Sequence, residues 1–360
     1  MTKEDSYSDN LKRFISNDSK KIEKISHVFG KPMAMDMGTT NTRIYMKGYG
    51  LVLDEPSVIA YEKISKNVLA SGKEAKRYLG KAPQNIEVIK PLSGGHINDF
   101  DIIKSMLKEF FNRVQKRKRI FKSRLIVAIP SHRSSAEKKI IKTAARESGI
   151  GQIYFIEEPI SAAIDFDINV ANKKGQMIVD IGGGSLEISI ISNNSIIYSD
   201  VEKLGGDAIN EAIIHYIKAK HHLHIGENRA EECKLKLAAI PPVKTKTYKI
   251  SGKDTLNNIP KEITLQAEEV NTAIADILEA IINMIKKAID KAPKELQSDI
   301  LQDGFYLTGG GSLLPGLKEF IERKTALKCS VANMPVYAII RGASLVTKQK
   351  RKFKKVLLKK

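Results

Sequence analysis

Two short stretches of this chain share one design, and together they limit what it can fold into. Asp36-Met37-Gly38-Thr39-Thr40-Asn41-Thr42 follows the apolar run Pro32 to Met35, and Asp180-Ile181-Gly182-Gly183-Gly184-Ser185 follows Met177 to Val179. Each runs on into an alternating strand, Arg43 to Met46 and Leu186 to Ile191. The pattern predicts two hairpins with glycine and hydroxyl residues at the tip and a carboxylate at the entrance. Such a tip suits a phosphate chain. Glycine lets backbone N–H groups approach closely, hydroxyls donate, and the acid holds a metal-bound water.

The elements around the hairpins repeat as well. After the first come a helical period over Asp99 to Arg117 and a strand at Leu125 to Ile129. A helix capped by Ser134 or Ser135 follows, with Glu137 in its first turn, then a strand at Ile153 to Ile156 and a helix beginning near Ile160. After the second come helices from about Asp207 to His221 and from near Asn228. A strand pair over Lys246 to Gln266, a long helix Ala267 to Asp290 and a strand at Phe305 to Thr308 complete the copy. Gly309-Gly310-Gly311 is expected to open a helix running to about Thr325, and a last helix begins near Pro335. The expectation is an α/β fold of two duplicated domains, 31–175 with a returning helix 335–347, and 176–334, with a cleft between them. Residues 1–30 form an extension and 348–360 a basic tail.

At 360 residues the chain is comfortable for two domains, and it has no apolar run long enough to span a bilayer. Its first residues are polar and acidic, unlike a secretory signal. The two cysteines, Cys233 and Cys329, suggest a reducing cytosol and core positions, not a disulfide framework. Eight of the 13 residues from Lys348 to Lys360 are Lys or Arg and none is acidic, a large share of the net +19. Aromatics are sparse and not interleaved with the basic residues, so nucleic acid is not an expected partner. His221, His222 and His224 lack a completing ligand at metal-binding spacing, which leaves them a solvated helix end.

Asp36-x-Gly38-Thr39-x-Asn41-Thr42, Glu157-Glu158-Pro159, Asp180-Ile181-Gly182-Gly183-Gly184 and Leu307-Thr308-Gly309-Gly310-Gly311 resemble the nucleotide-binding set of the actin, sugar-kinase and heat-shock-chaperone superfamily. Within it the chain is most similar to MreB, the bacterial actin. Gly50 to Val58, Leu204-Gly205-Gly206-Asp207 and Ile225-Gly226-Glu227 share that likeness, which spans about Pro32 to Leu345. The resemblance implies a duplicated actin-like (ribonuclease H-like) fold flanking a nucleotide cleft, ATP and Mg²⁺ as cofactors, and weak ATPase activity coupled to filament assembly. Gly38, Thr39, Thr40, Asn41 and Thr42 with Gly182, Gly183 and Gly184 would grip the phosphates, and Asp36 and Asp180 would hold the metal through its waters. Glu158 would activate the attacking water. Ser185 would act with Glu158 as a catalytic residue that positions this water; it stands where MreB proteins usually carry threonine, keeping the hydroxyl and losing a methyl, which implies looser water positioning and slower hydrolysis. Glu231 and Lys234 would contact ribose and adenine, although a Glu–Lys pair also suits a solvated helix. Gly309, Gly310 and Gly311 would offer helix N–H groups to the nucleotide.

By the same resemblance the partners are further copies of the chain in a homopolymer and an anionic membrane, at the inner face of the cell membrane, for cell shape or motility. The tail, with Phe353, Val356, Leu357 and Leu358 among its charges, suits such a surface. A disordered solubilising tail is the other reading. For the N-terminal segment (Leu11, Phe14, Ile15, Ile22, Ile25, Val28 and Phe29) membrane binding and packing against its own domain stand level. Two other functions remain open: a nucleotide-binding scaffold with little turnover, and a monomeric kinase of the superfamily.

Overall fold

The structure, a computed structural model, describes residues 14, 30–94, 96–114 and 123–358. The chain divides into unit 1, 1–170 with 337–360, and unit 2, 171–336.

Unit 1 is built on five strands: β1 Met33–Met37, β2 Asn41–Met46, β3 Gly50–Pro56, β4 Ser123–Ile129 and β5 Ile150–Glu157, in the order β5-β4-β1-β2-β3. The first three run antiparallel, and β1, β4 and β5 run parallel. Every residue of β1 is buried and nearly every residue of β4, as expected for strands covered on both faces. One face carries α1 (Phe100–Val114) and α2 (Ser135–Glu147), whose Ile103, Met106, Leu107, Phe110, Ile141 and Ala144 meet Met33, Met35, Leu125 and Val127. On the other, α3 (Glu158–Asp165) packs against the C-terminal helix Ala338–Lys348. Those two approach so closely that a Cβ on Gly342 would collide with the Ser161 carbonyl.

Unit 2 repeats the plan. Its strands β6 Gln176–Ile181, β7 Leu186–Ser192, β8 Ser195–Glu202, β9 Phe305–Thr308 and β10 Cys329–Val331 lie in the order β8-β7-β6-β9-β10. Again the first three are antiparallel and the first, fourth and fifth parallel. Its helices are α4 Gly206–His221, α5 Glu227–Leu237, α6 Ala267–Lys291, α7 Lys294–Asp303 and α8 Leu317–Thr325. Ile209, Ile213 and Ile217 on α4 and Ile274, Leu278, Ile281 and Ile285 on α6 supply the apolar stripes that close its core. Each unit also carries a small three-stranded antiparallel sheet, one from Ile59–Glu62, Val68–Ser71 and Ile86–Ile89, the other from Leu223–His224, Thr247–Asp254 and Pro260–Gln266. Cys233 and Cys329 are buried and unbridged, and burial pushes their thiols up to about 11 and about 12.

Most of the expected elements form within a few residues of their predicted bounds, including the capping box in which Ser134 and Glu137 exchange hydrogen bonds. Two differences have physical causes. The helix expected from Gly309 to Thr325 is instead a 3₁₀ turn at Gly310–Leu313 and then α8. Pro315 and Gly316, the latter at φ +78°, interrupt it. Helix α7 goes unpredicted because Ile300 is its only fully buried side chain, which leaves too weak a periodic signal.

The basic tail takes a definite path. Val356 and Leu357 are buried at 3% and 8% exposure, and Leu358 packs on the core of unit 1. Leu358 and Phe155 exchange backbone hydrogen bonds of 2.9 and 3.3 Å, which caps the outer strand β5. Lys350 sits 3.8 Å above the Tyr154 ring, and Arg351, Lys352, Lys354 and Lys355 face solvent. In the N-terminal segment Phe14 alone is described. Its ring stacks on Tyr45, centroids 5.6 Å apart and planes 10° apart, and meets Tyr337 edge-on at 6.5 Å. The segment's other apolar residues, Lys359 and Lys360 of the tail, and the end of the helix expected to Arg117 lie outside the described residues.

Candidate functional site

The hairpin tips of the two units are closed by the same hydrogen bond. Gly38 N–H donates to the Asn41 carbonyl at 3.0 Å, and Gly182 N–H to the Ser185 carbonyl at 2.8 Å. In each case an aspartate lies two residues before the glycine, on the strand running parallel to its neighbour. Asp36 is level with Ala128 of β4, and Asp180 with Thr308 of β9. Both acids therefore stand at the carboxyl ends of parallel strands, where α/β sheets bind ligands. Glu158 opens α3 directly after β5, at this same end of the unit 1 sheet, with Pro159 in its first turn.

In unit 1 the tip leaves Thr40 exposed and Gly38 and Thr39 half-exposed. Thr42 points inward: it is fully buried, and its hydroxyl shares a 2.9 Å hydrogen bond with that of Ser57. Ser57 also donates to the Gly38 carbonyl at 2.6 Å, so it braces the turn from beneath. Asn41 donates to Asp54 at 2.7 Å. Asp36, 4% exposed, faces Arg43 across the hairpin at 3.5 Å, and Arg43 reaches Asp54 at 3.3 Å. Tyr337 lies 5.0 Å from the Arg43 guanidinium and donates its hydroxyl to Asp54 at 3.1 Å. Burial pushes the Asp36 carboxyl up to about 6 against the opposing pull of Arg43. A cation beside this acid would favour its charged form.

In unit 2 the chain wraps the second tip. Gly206 N–H donates to the Gly182 carbonyl at 3.0 Å, and Asp207 N–H to the Gly183 carbonyl at 2.7 Å. A Cβ on Gly205 would lie 2.5 Å from the Gly183 carbonyl oxygen, so only glycine fits there. Gly309, at φ +82°, lies where a Cβ would strike the Asp180 carboxylate and the Ile181 carbonyl, and a Cβ on Gly311 would strike the Ile181 side chain. The glycines at 309 and 311 thus allow this turn to close on the root of the hairpin. A methyl at Gly310 would meet only open space. Lys234 reaches from α5 to the Gly206 carbonyl at 3.1 Å and to the Glu231 carboxylate at 2.6 Å. Asn210 on α4 donates to the same Glu231 oxygen at 2.8 Å.

Unit 1 thus brings together Asp36, Gly38 to Asn41 and Glu158 at one sheet end. Unit 2 gathers Asp180, Gly182 to Ser185, Glu231, Lys234 and the glycines at 309 to 311. Sequence reasoning missed Ser57, Asp54, Tyr337 and Asn210 as supports. The family-like stretch Gly50 to Val58, which contains Asp54 and Ser57, and the glycine pair 205–206 ahead of a helix were the local signals that could have pointed to them. The donor set fits Mg²⁺, which keeps most of its waters and takes few carboxylates. Among the described residues no cluster of three or more His, Cys, Asp or Glu offers a direct metal cage. His221 instead pairs with Glu269 at 2.7 Å.

Comparison with known proteins agrees with this architecture. The family model described as MreB/Mbl protein matches residues 30–355. The cell shape-determining protein Mbl of Bacillus subtilis is 37% identical over 320 residues, 89% of this chain and 96% of that one. The cell shape-determining protein MreB of Escherichia coli is 36% identical over 327 residues, covering 89% and 94%. Among solved structures, MreB5 of Spiroplasma citri bound to ADP superposes with a TM-score of 0.84 at 28% identity, covering 89% of this chain and 97% of that one. With twin actin-like units and these relatives, the chain belongs to the MreB/Mbl family of bacterial actins.

Proposed function

We propose that this chain binds ATP with Mg²⁺, hydrolyses it slowly and assembles into homopolymeric filaments at the inner face of the cell membrane, in the service of cell shape or motility. The observation that carries the reading is the pair of matching hairpins, each closed by a glycine N–H and each preceded by an acid at the carboxyl end of a parallel strand. Support also comes from the ADP held by the Spiroplasma citri relative and from the cell-shape role in the names of the bacterial ones.

In this reading Gly38 and Gly182 close the two turns. The backbone N–H groups of Thr39 to Asn41 and of Gly183 to Ser185 bind phosphate oxygens with help from the hydroxyls of Thr39 and Thr40, and the Ser185 hydroxyl positions the attacking water. Thr42 acts from beneath through Ser57. Asp36 and Asp180 orient waters of the metal, and Mg²⁺, when bound, neutralises charge on the phosphates. Glu158 accepts proton density from the attacking water. Glu231 and Lys234 contact the sugar and base, and Gly309 to Gly311 let the nucleotide come close to backbone. Ser185 supplies a hydroxyl without the methyl of threonine, which leaves its rotamer freer and makes for slow turnover.

The tail contributes to membrane attachment through its solvent-facing Arg351, Lys352, Lys354 and Lys355, since Val356, Leu357 and Leu358 are engaged on unit 1. No helix among the described residues is long and apolar enough to cross a membrane. The test is sedimentation with ATP, ADP or no nucleotide, with and without anionic vesicles, for wild type and Glu158→Ala. Pelleting is expected to depend on nucleotide and to rise with vesicles. Phosphate release in the variant is expected to fall by about 100-fold or more. A wild type that pellets with ATP yet releases phosphate no faster than Glu158→Ala would instead favour a scaffold with little turnover. Indifference of both quantities to nucleotide would refute the proposal.

A further inference from the structure

We propose that Arg43 is the resident counter-charge of the unit 1 hairpin, and that by holding Asp36 it weakens the dependence of nucleotide binding on Mg²⁺. This rests on the reading that Asp36 and Asp180 orient waters of the metal. The two hairpins match in backbone and differ in charge at one position. Arg43 is the cross-strand partner of Asp36, and Glu187 is the cross-strand partner of Asp180. Residues directly opposite in an antiparallel pair send their side chains to the same face of the sheet. A cation therefore shares the face of the first acid, and a second acid shares that of the other. Glu187 is 5% exposed and accepts from the hydroxyls of Ser189 and Ser199, each at 3.3 Å.

Arg43 is held in place from three directions. Its Nη1 lies 3.5 Å from Asp36 Oδ2, its Nε lies 3.3 Å from Asp54 Oδ1, and the Tyr337 ring is 5.0 Å from the guanidinium. Asp54 is fixed in turn by Asn41 and by the Tyr337 hydroxyl. The Asp36 and Arg43 side chains keep 6% and 11% exposure, so the pair still meets solvent at the sheet end that carries the tip. Without a counter-charge, an Asp36 carboxylate would repel phosphate oxygens until a bound cation neutralised it. Arg43 removes that repulsion before any ligand arrives, and it leaves Asp36 less charge to offer a metal. Arg43 thus acts through Asp36, and its effect is read in how far affinity depends on the metal.

The experiment titrates ATP onto the full chain in EDTA and in millimolar Mg²⁺, at a protein concentration where wild type stays in the supernatant. The ratio of the two dissociation constants measures the metal dependence, and thermal unfolding is followed alongside. Arg43→Leu with Asp54→Asn removes one charge of each sign, so net charge is conserved while Asp36 loses its cation. This double variant is expected to raise the ratio about tenfold over wild type. Adding Asp36→Asn should cancel that rise. Asp54→Asn alone gives Arg43 wholly to Asp36 and should lower the ratio about threefold, a test that holds even if the double variant fails to fold. The inference is overturned by a double variant with the wild-type ratio, by a rise that survives Asp36→Asn, or by an Asp54→Asn ratio that is unchanged or higher. In each of those cases a metal-dependent wild type leaves the metal role of the two acids standing. If ATP binds wild type and Asp180→Asn equally well with and without Mg²⁺, that role falls and the inference with it.

Discussion

Leu357 decides between two physical roles for the basic tail. At 8% exposure beside Val356 at 3%, its side chain is part of the packing of unit 1. Leu357→Ala removes buried methyl groups at the periphery of a core, where the strap can settle partly into the space. The lower end of the range for such truncations applies, about 2 kcal/mol. For a unit of this size that corresponds to a fall in melting temperature of roughly 4–8 °C. Differential scanning calorimetry on the full chain reads this directly. In vesicle sedimentation the same variant should behave as wild type below its melting point, because the leucine is not offered to lipid. Replacing Lys352, Lys354 and Lys355 by Gln should do the reverse. At about 1 kcal/mol per basic residue near an anionic surface, the triple variant should lose on the order of 100-fold in vesicle affinity with little change in melting. A Leu357→Ala protein with unchanged melting and impaired vesicle binding would refute the argument, since the leucine would then insert in the bilayer and not in its own unit.

Three further outcomes can be checked. Gly309→Ala should fold but bind nucleotide at least tenfold more weakly, because its methyl would strike the Asp180 carboxylate at a backbone angle of φ +82°; wild-type affinity by fluorescent-nucleotide titration would show that this turn does not govern Asp180. Glu137 is pushed up by burial but brought down to about 2 by donors on Ile97 and Ser134 and by Arg133, so its stabilising effect is complete above pH 4.5 and lost as pH falls towards 2. Glu137→Gln should therefore cost about 2–3 kcal/mol at neutral pH and flatten the acid limb of the stability curve, as measured by urea titration at several pH values. Phe14→Ala should destabilise unit 1 by about 1–3 kcal/mol through loss of its ring's contacts with Tyr45 and Tyr337, with Phe14→Tyr restoring most of it; an unchanged urea midpoint would mean that the ring does not occupy this place in solution.

The parts of the fold that were legible in the sequence are those whose cause is local. A hairpin with glycine at its tip, a Ser-x-x-Glu box and a 3.6-residue stripe each arise within a dozen residues, so the chain displays them directly. The break at Pro315 and Gly316 was legible too, but the glycine triplet before it masked the signal by suggesting a helix start. The tail was ambiguous for a deeper reason. Phe353, Val356, Leu357 and Leu358 among lysines have the spacing of a lipid-facing segment and equally that of a strap, and only the partner strand at Phe155 distinguishes them.

The candidate site shows the same limit more sharply. Gly38, Asp36, Gly182 and Asp180 announce themselves, yet each is held by residues distant in the chain. Tyr337 reaches Asp54 across 283 positions, Ser57 braces a turn 19 positions earlier, and Asn210 finds Glu231 across 21. A sequence motif specifies what touches the ligand, because that chemistry admits few residue types. The supports admit more, since several donors of suitable length could hold Asp54 or Glu231, and so their roles cannot be read from a pattern even where, as at Gly50 to Val58, the stretch itself is family-like. The Asp54 hub makes the consequence concrete: it accepts from Asn41 and Tyr337 and pairs with Arg43, which in turn faces Asp36. Two hairpin residues therefore depend on a side chain outside the hairpin motif itself, and the shape of the unit 1 tip is set as much by Asp54 as by the glycine within it.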